Sequence, residues 1–448
     1  MRYDISIHLP DVRLNKRYLG MVKGHLQRAT TTATGIAVPA NVATSFAVTQ
    51  ATWRFLDNDR VTPQALVAPL RHFARQQLAN SRYALAVIDW SKIDYKKHTA
   101  KRDIVQLTHE HDIGYELTTH LLVSAENGRA IAPIQMHLKT ADGYLSTAET
   151  ALSSDTHHLE QVLPLMRDAA TLAFPPTLVH VIDREADSLF HWRQWLTSGF
   201  LLLVRGDDRW ARWRGELVKY STIEARLEAE GAFRPSREVT IKGKPGVQYV
   251  AEAEVVLDRP VRRRVKGRCL SFHGATLSLR LVIAKVIDPK SGEVLSTWYL
   301  MTNVPSDVSS EQIALWYYWR WEIESFFKLL KSGGQQLEHW QQESGEAVLK
   351  RLLVASMACA LVWSLQQSED EQSEAFKSVL VRLSGKRLKR GRSPTPGILL
   401  SGLFVLLQMV DFLTESGFDH PNITPFQAAL DKYLPGMTKK IRRSQKNE

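Results

Sequence analysis

The sequence predicts an α/β protein: a sheet-bearing centre with a β-rich stretch inserted in it, flanked by helical modules. Three observations carry this. Apolar residues recur at three- and four-residue steps near the N-terminus, through Leu14, Tyr18, Val22 and Leu26. Two short apolar runs, Tyr83–Ile88 and Thr177–Ile182, each end at an aspartate, as strands covered on both faces can. The stretch Gly206–Thr297 is polar, basic and partly alternating, which suits strands rather than helices.

Taken in order, Asp11 to Asn80 forms a helical N-terminal module. A second helical pattern opens at Asn41 and runs to Leu56, Asp57-Asn58-Asp59 breaks it, and Thr62-Pro63 is a cap followed by Pro at the first helical position. The central region spans 81–367. It opens on the Tyr83–Ile88 strand, then predicts strands over Glu116–Ser124 and Ala130–Leu138, a helix over Asp155–Ala173, and strands over Thr177–Ile182 and Phe200–Val204. Its β insertion covers about 206–297, with a turn at Gly243–Gly246 and a strand at Leu277–Ile283. One helix is predicted over Ser310–Lys331, stopped by Gly333-Gly334 acting as a left-handed cap, and an apolar helix follows to Gln367. Residues 368–448 are expected to hold a basic linker (Ser368 to Pro396), a helical module from Gly397 to Leu434, and a tail with Lys439, Lys440, Arg442, Arg443 and Lys446.

The 448 residues are 44% hydrophobic and 23% charged, which excludes a mainly disordered, collagen-like or disulfide-scaffold protein. Two cysteines, Cys269 and Cys359, cannot build a disulfide framework or a zinc finger. The apolar runs Leu352–Leu365 and Ile398–Val410 fall short of the ~20 residues of a membrane span and predict buried helices. No apolar signal core opens the chain, so the expected location is cytoplasmic, with no membrane partner. Lys plus Arg number 58 against 47 Asp plus Glu, a net charge of +11. That excess suits a polyanionic partner, usually nucleic acid, or an indifferent basic surface.

Chemistry concentrates in few residues. Asp89 and Asp183 stand at the carboxyl ends of the two apolar strands, where open α/β sheets form sites, although a lone Asp there is more often a turn residue or helix cap. In the helix beginning at Ser310, Tyr317, Arg320, Glu324 and Lys331 lie at offsets of three, seven and fourteen. At roughly 100° per residue the four project from one face, within about 60°. Solvated charges with an Arg320–Glu324 i,i+4 pair would give the same pattern. A carboxylate among phosphate-binding groups and a phenol also suits a hard cation acting on a phosphodiester.

The Tyr317-x2-Arg320-x3-Glu324-x6-Lys331 spacing resembles the signature of the insertion-sequence-four family of DDE transposases. Asp89 and Asp183 are similar to that family's two aspartates in kind and order. Asp183-Arg184-Glu185-Ala186-Asp187 resembles the DREAD segment of the branch typified by the transposon Tn-five transposase. Ala51–Asn58, Val204-Arg205 and Trp298–Thr302 extend the likeness to that branch, which covers nearly the whole chain and is weak at the C-terminus.

The resemblance implies an RNase H-like catalytic core with a β insertion, behind an N-terminal DNA-binding module (1–80) and before a C-terminal module for dimerisation. It implies metal-dependent cleavage at transposon ends through a hairpin intermediate, then strand transfer to target DNA by a DNA-bridged homodimer acting at the nucleoid. Asp89, Asp183 and Glu324 would be the catalytic carboxylates holding Mg²⁺, with Mn²⁺ an alternative. Tyr317, Arg320, Lys331 and Arg205 would grip phosphates, Arg54 would contact the outer DNA, and Trp298 would hold an unstacked base. For Trp298, core packing is the ordinary alternative. Asp94, Glu185 and Asp187 are alternative carboxylates, and Trp90-Ser91-Lys92 departs from the type member. His109 and His111 lack ligand spacing for zinc and are expected in a polar loop. Other functional readings are a catalytically silent DNA-binding protein derived from a transposase, and an RNase H-like nuclease without strand transfer.

Overall fold

The computed structural model describes residues 7–27, 42–148, 158–241, 243–265, 268–388 and 391–415, with positions 428 and 432. Expectations for the C-terminal tail and for the helix beyond Glu415 lie outside the described residues, apart from those two positions.

Helices α1 (Val12–Leu26), α2 (Val42–Leu56) and α3 (Pro63–Gln77) open the chain. The Asp11 carboxylate caps α1 and the Thr62 hydroxyl caps α3 ahead of Pro63, satisfying main-chain N–H groups that have no partner within the helix. Strands β1 (Tyr83–Asp94), β2 (Val105–Gln106), β3 (Ile113–Ser124), β4 (Ala130–Thr140) and β5 (Gly143–Ser146) follow, then α4 (Val162–Thr171), β6 (Thr177–Ile182), α5 (Leu189–Thr197) and β7 (Leu201–Gly206). The expected helix over Asp155–Ala173 is shorter where described, being a 3₁₀ turn at His158–Gln161 and then α4.

The insertion holds β8 (Trp210–Trp213), β9 (Glu216–Lys219), α6 (Tyr220–Ala229), β10 (Arg234–Ile241), β11 (Lys244–Leu257), β12 (Val261–Val265), β13 (Arg268–Phe272), β14 (Leu277–Ile287) and β15 (Val294–Thr302). Helix α6 corrects the all-β expectation: it buries Tyr220, Ile223 and Leu227, a helical spacing masked by the polar residues between them. Gly243, at φ +82°, lies in the turn before β11, and Lys244–Gly246 already pair in the ladder.

Thirteen strands form one mixed sheet in the order β5-β4-β3-β1-β6-β7-β15-β14-β11-β8-β9, with β10 on β11 and β2 on β3. Among the described residues, only the β1–β6 and β6–β7 pairings are parallel. Both faces of this centre are covered. Leu85, Val87, Val179, Val181, Leu203 and Leu300 enter one core, while their alternating neighbours Ile88, Ile182, Val204 and Met301 enter the other, beneath α5 and α6. Two-sided burial is why these strands are unbroken apolar runs.

Helices α7 (Ser310–Trp319), α8 (Glu322–Leu330), α9 (Gly345–Gln367), α10 (Glu371–Leu383) and α11 (Pro396–Glu415) follow among the described residues. The single helix expected over Ser310–Lys331 is therefore two. At the junction Arg320, Trp321 and Ile323 donate their N–H groups to carbonyls three residues back, a 3₁₀ tightening that turns the axis. Gly333 is not a left-handed cap; a Cβ there would come 2.8 Å from the Lys328 carbonyl oxygen, so close approach requires the glycine. The positive φ falls on Gln336, at 52°. Part of the expected linker is ordered as α10, capped by Asp370.

Helix α9 is long and apolar enough to cross a membrane by length and composition, yet its whole apolar window is buried inside the fold. It packs on α1, α3, α11 and β4 and encloses Lys350 and Arg351. Lys350 pairs with Glu346 at 2.8 Å, and Arg351 donates to Gln342 Oε1 at 2.9 Å. An all-round apolar helix of this kind belongs at the centre of a large core.

Candidate active site

The parallel register builds the site. Ile88 pairs with Ile182, and Ile182 with Val204. The next residue on each strand is Asp89, Asp183 and Arg205, so an acid, an acid and a cation stand in one row, on neighbouring strands ~4.8 Å apart. They share a face because parallel strands in register alternate together. β1 does not end at Asp89 as expected. It continues to Asp94 because β3 pairs with it through Asp94–Gly114. Asp89 thus lies mid-strand, at the level where β6 gives out.

The α7–α8 corner closes over this row. Arg320 Nη1 donates to Asp89 Oδ2 at 2.7 Å and stands 3.9 Å from Glu324 Oε1. The main-chain N–H of Trp90 donates to Asp89 Oδ1 at 2.8 Å. Burial pushes the Asp89 carboxyl up to about 7; Arg320 opposes this, and the charges of Asp183 and Glu324 add to it. Asp183 also caps the 3₁₀ turn Arg184–Ala186, its Oδ1 accepting from the Glu185 N–H at 2.7 Å. Glu324 is half exposed.

Tyr317 is buried, and its hydroxyl is pushed up chiefly by burial, with Arg320 and Arg205 opposing. Its ring meets Trp298 edge-on at 5.4 Å. Trp298 is only 6% exposed and belongs to the core, so its faces are covered. The open aromatic at this corner is Trp321, 54% exposed, with the Arg320 guanidinium 5.7 Å from its ring centroid. The sequence pattern singled out no role for Trp321, because exposure depends on the break after Trp319. It was also silent on Thr119, which lies opposite Asp89 with a buried hydroxyl lacking a hydrogen-bond partner.

Lys331 is carried along β1 rather than to the carboxylates. Its ammonium donates to the Lys92 carbonyl and lies 3.4 Å from Glu338. Arg54 is exposed on α2, which packs on α9. Among the other carboxylates, Asp187 is engaged by Arg209 at 2.6 Å. Glu185 is exposed beside Asp183, its carboxyl raised by partial burial and then by Asp183. Asp94 is exposed and caps the Lys96 N–H. His109 and His111 lie in the β2–β3 connection, where Asp112 pairs with Lys92 at 2.5 Å.

Oxygen donors of this kind suit a hard divalent cation. As the side chains lie, no three acidic, histidine or thiol groups among the described residues converge closely enough to hold a metal. Arg320 supplies the positive charge between Asp89 and Glu324.

No protein-family model matches the chain, and no curated protein matches it. Among solved structures it is similar to the piggyBac transposase in a cryo-EM synaptic complex with hairpin DNA, at 11% identity and a TM-score of 0.36, over 94% of this chain and 77% of that chain. Identity and superposition are both too low to assign a family.

Proposed function

We propose that the chain is a DNA transposase of the DDE type, with Asp89, Asp183 and Glu324 as its catalytic carboxylates. One observation carries this: two parallel strands set Asp89 and Asp183 side by side, and Arg320 ties Asp89 to the turn that leads into the helix bearing Glu324. The Tyr317–Lys331 sequence signature supports the same reading, as does a mixed sheet whose adjoining strands β1 and β6 carry Asp89 and lead into Asp183.

Asp89, Asp183 and Glu324 would hold Mg²⁺ or Mn²⁺. When bound, the metal would supply Lewis acidity at the scissile phosphate and lower the pKa of an attacking water. The chain's own residues do the positioning. Arg205 and Arg320 flank the carboxylate row; Arg205 presents a cation to non-bridging phosphate oxygens, and Arg320, whose Nη1 is committed to Asp89, adds positive charge beside them. Tyr317, held edge-on by Trp298, fixes the corner from which Arg320 projects. In the first step water forms a bond to phosphorus as the bond to the 3′ oxygen breaks, and the 3′ oxygen leaves as a hydroxyl. That hydroxyl then attacks the phosphorus opposite it on the other strand, expelling the 3′ oxygen of the flanking DNA and closing a hairpin. A second water attacks the hairpin phosphodiester and releases the 3′ hydroxyl again, which joins target DNA by displacing a target 3′ oxygen. The expected assembly is a homodimer on paired transposon-end inverted repeats.

Incubation of the purified chain with Mg²⁺ and labelled duplexes from both flanks of its coding region tests this. Nicks, hairpins and joined products support it. Hydrolysis without hairpins or joining would identify a nuclease instead, and binding without any cleavage a silent DNA-binding protein.

A further inference from the structure

Strands β12 and β13 form a two-stranded ribbon outside the main sheet. Arg262 pairs with Ser271, Arg263 with Leu270 and Arg264 with Cys269. Arg259, Arg262, Arg263, Arg264, Lys266 and Arg268 fall in this segment, and no carboxylate occurs from Arg259 to Ile287. Arg262, Arg268, Cys269 and Leu270 are exposed. In the neighbouring part of the insertion, by contrast, Arg214 pairs with Glu230 at 2.5 Å and Arg226 with Glu216 at 2.8 Å. The ribbon has no such partners in its own sequence.

The root of the ribbon is fixed. Arg193 of α5 is nearly buried; its Nε donates to the Ala275 carbonyl at 2.8 Å and its Nη2 to the Arg259 carbonyl at 2.9 Å, so one guanidinium clasps both strands. A Cβ at Gly274 would come 2.6 Å from Arg193 Cδ, so that clasp needs the glycine. Further out, Phe272 meets Phe190 edge-on at 5.6 Å. Phe190 lies one turn nearer the start of α5 than Arg193, and α5 starts just after the Asp183–Asp187 segment. The ribbon therefore runs back along α5 towards the carboxylate end of the sheet.

We propose that this ribbon is a duplex-DNA arm that enters the major groove beside the carboxylate row. The inference rests on the reading of DNA as substrate. A B-form major groove admits a two-stranded ribbon, and exposed arginines on such a ribbon meet phosphates on both walls. Five residues per strand span ~17 Å, enough to follow about five base pairs.

The test uses the full chain and a duplex of roughly 40 base pairs, with binding measured across a salt series. The double variant Arg262→Ala/Arg268→Ala is compared with Arg214→Ala/Arg226→Ala, and each is checked by thermal melting. The expected result is a log–log salt slope shallower by about two for the ribbon variant and unchanged for the control. Cys269 provides a second readout, because Cys359 is buried. A photoactivatable thiol label on Cys269 should cross-link to the duplex, and competitor DNA should abolish the cross-link. A wild-type slope in the ribbon variant, or no cross-link at saturating duplex, overturns the ribbon while leaving DNA as substrate. Absence of any duplex binding by the unaltered chain overturns both.

Discussion

Asp89 and Arg320 form a buried ion pair between the central strand and the α7–α8 corner: Nη1 to Oδ2 is 2.7 Å, and the two side chains are 11% and 9% exposed. The pair links the one catalytic candidate embedded in the sheet to the turn that sets Glu324. Removing one partner of such a pair strands the other charge. Asp89 is already raised to about 7, so protonation limits that cost. Arg320→Ala should therefore lower stability by roughly 2 kcal/mol, and Asp89→Asn by less, since an acceptor for Arg320 remains. Urea melts at neutral pH measure both. Equal stability of Arg320→Ala and the unaltered chain would show that the pair does not hold the corner.

The carboxylate set predicts a metal response separable from catalysis. Millimolar Mg²⁺ should raise the melting temperature by about 2–4 °C, because a ligand bound only to the native state stabilises it. Asp183→Asn and Glu324→Gln should lose that rise together with cleavage, while duplex binding in Ca²⁺ is retained. A full Mg²⁺ shift in both variants would remove these residues from the metal site.

Trp298 and Trp321 should separate packing from stacking. Trp298→Ala empties a core position and should cost about 3–5 kcal/mol, slowing nicking and hairpin formation together. Trp321→Ala should cost under about 1 kcal/mol, as exposed positions do. If an unstacked base rests on the open indole, Trp321→Ala slows hairpin formation by about tenfold and spares nicking. The reverse pattern, with Trp298→Ala stable and defective only in hairpin formation, would return the stacking role to Trp298.

Acid should unfold the protein through three histidines of the central sheet. His120 and His180 lie 5.3 Å apart between ring centroids, and His137 sits nearby on β4. All three are buried, and both ring nitrogens of His137 lack hydrogen-bond partners. Burial lowers His120 to about 4 and His137 to about 3, and holds His180 well below its ordinary value. The facing groups are Gln135, which hydrogen-bonds His120, and Asp168, which holds Gln135 and lies 3.6 Å from Arg71. The unfolded chain binds protons near pH 6.5 and the native chain does not, so stability is full above that pH and falls as pH drops towards 4. At pH 5 the loss is roughly 2 kcal/mol per histidine. His137→Leu should move the acid midpoint downward in circular-dichroism titrations. An unmoved midpoint would exclude His137 from the acid transition.

By itself the sequence determined the local features. The cap at Thr62, the apolar runs around β1, β6 and β7, and the largely apolar α9 follow from propensity, capping and two-sided burial, all of which act over a few residues. The candidate residues were legible for the same reason, since the Tyr317-to-Lys331 spacing is a property of one segment. Tertiary structure decided what touches what. Register set Asp89 beside Asp183 and Arg205, pairing with β3 carried β1 past Asp89, and a 3₁₀ corner that no period-3.6 pattern reports turned Trp321 outward while Trp298 was buried on Tyr317. Lys331 shares a helical face with Glu324 in sequence, yet the packing of α8 along β1 gives its ammonium to Lys92 and Glu338. Side-chain spacing fixes direction from one helix axis; only the packing of that axis against the sheet decides which partner lies in that direction.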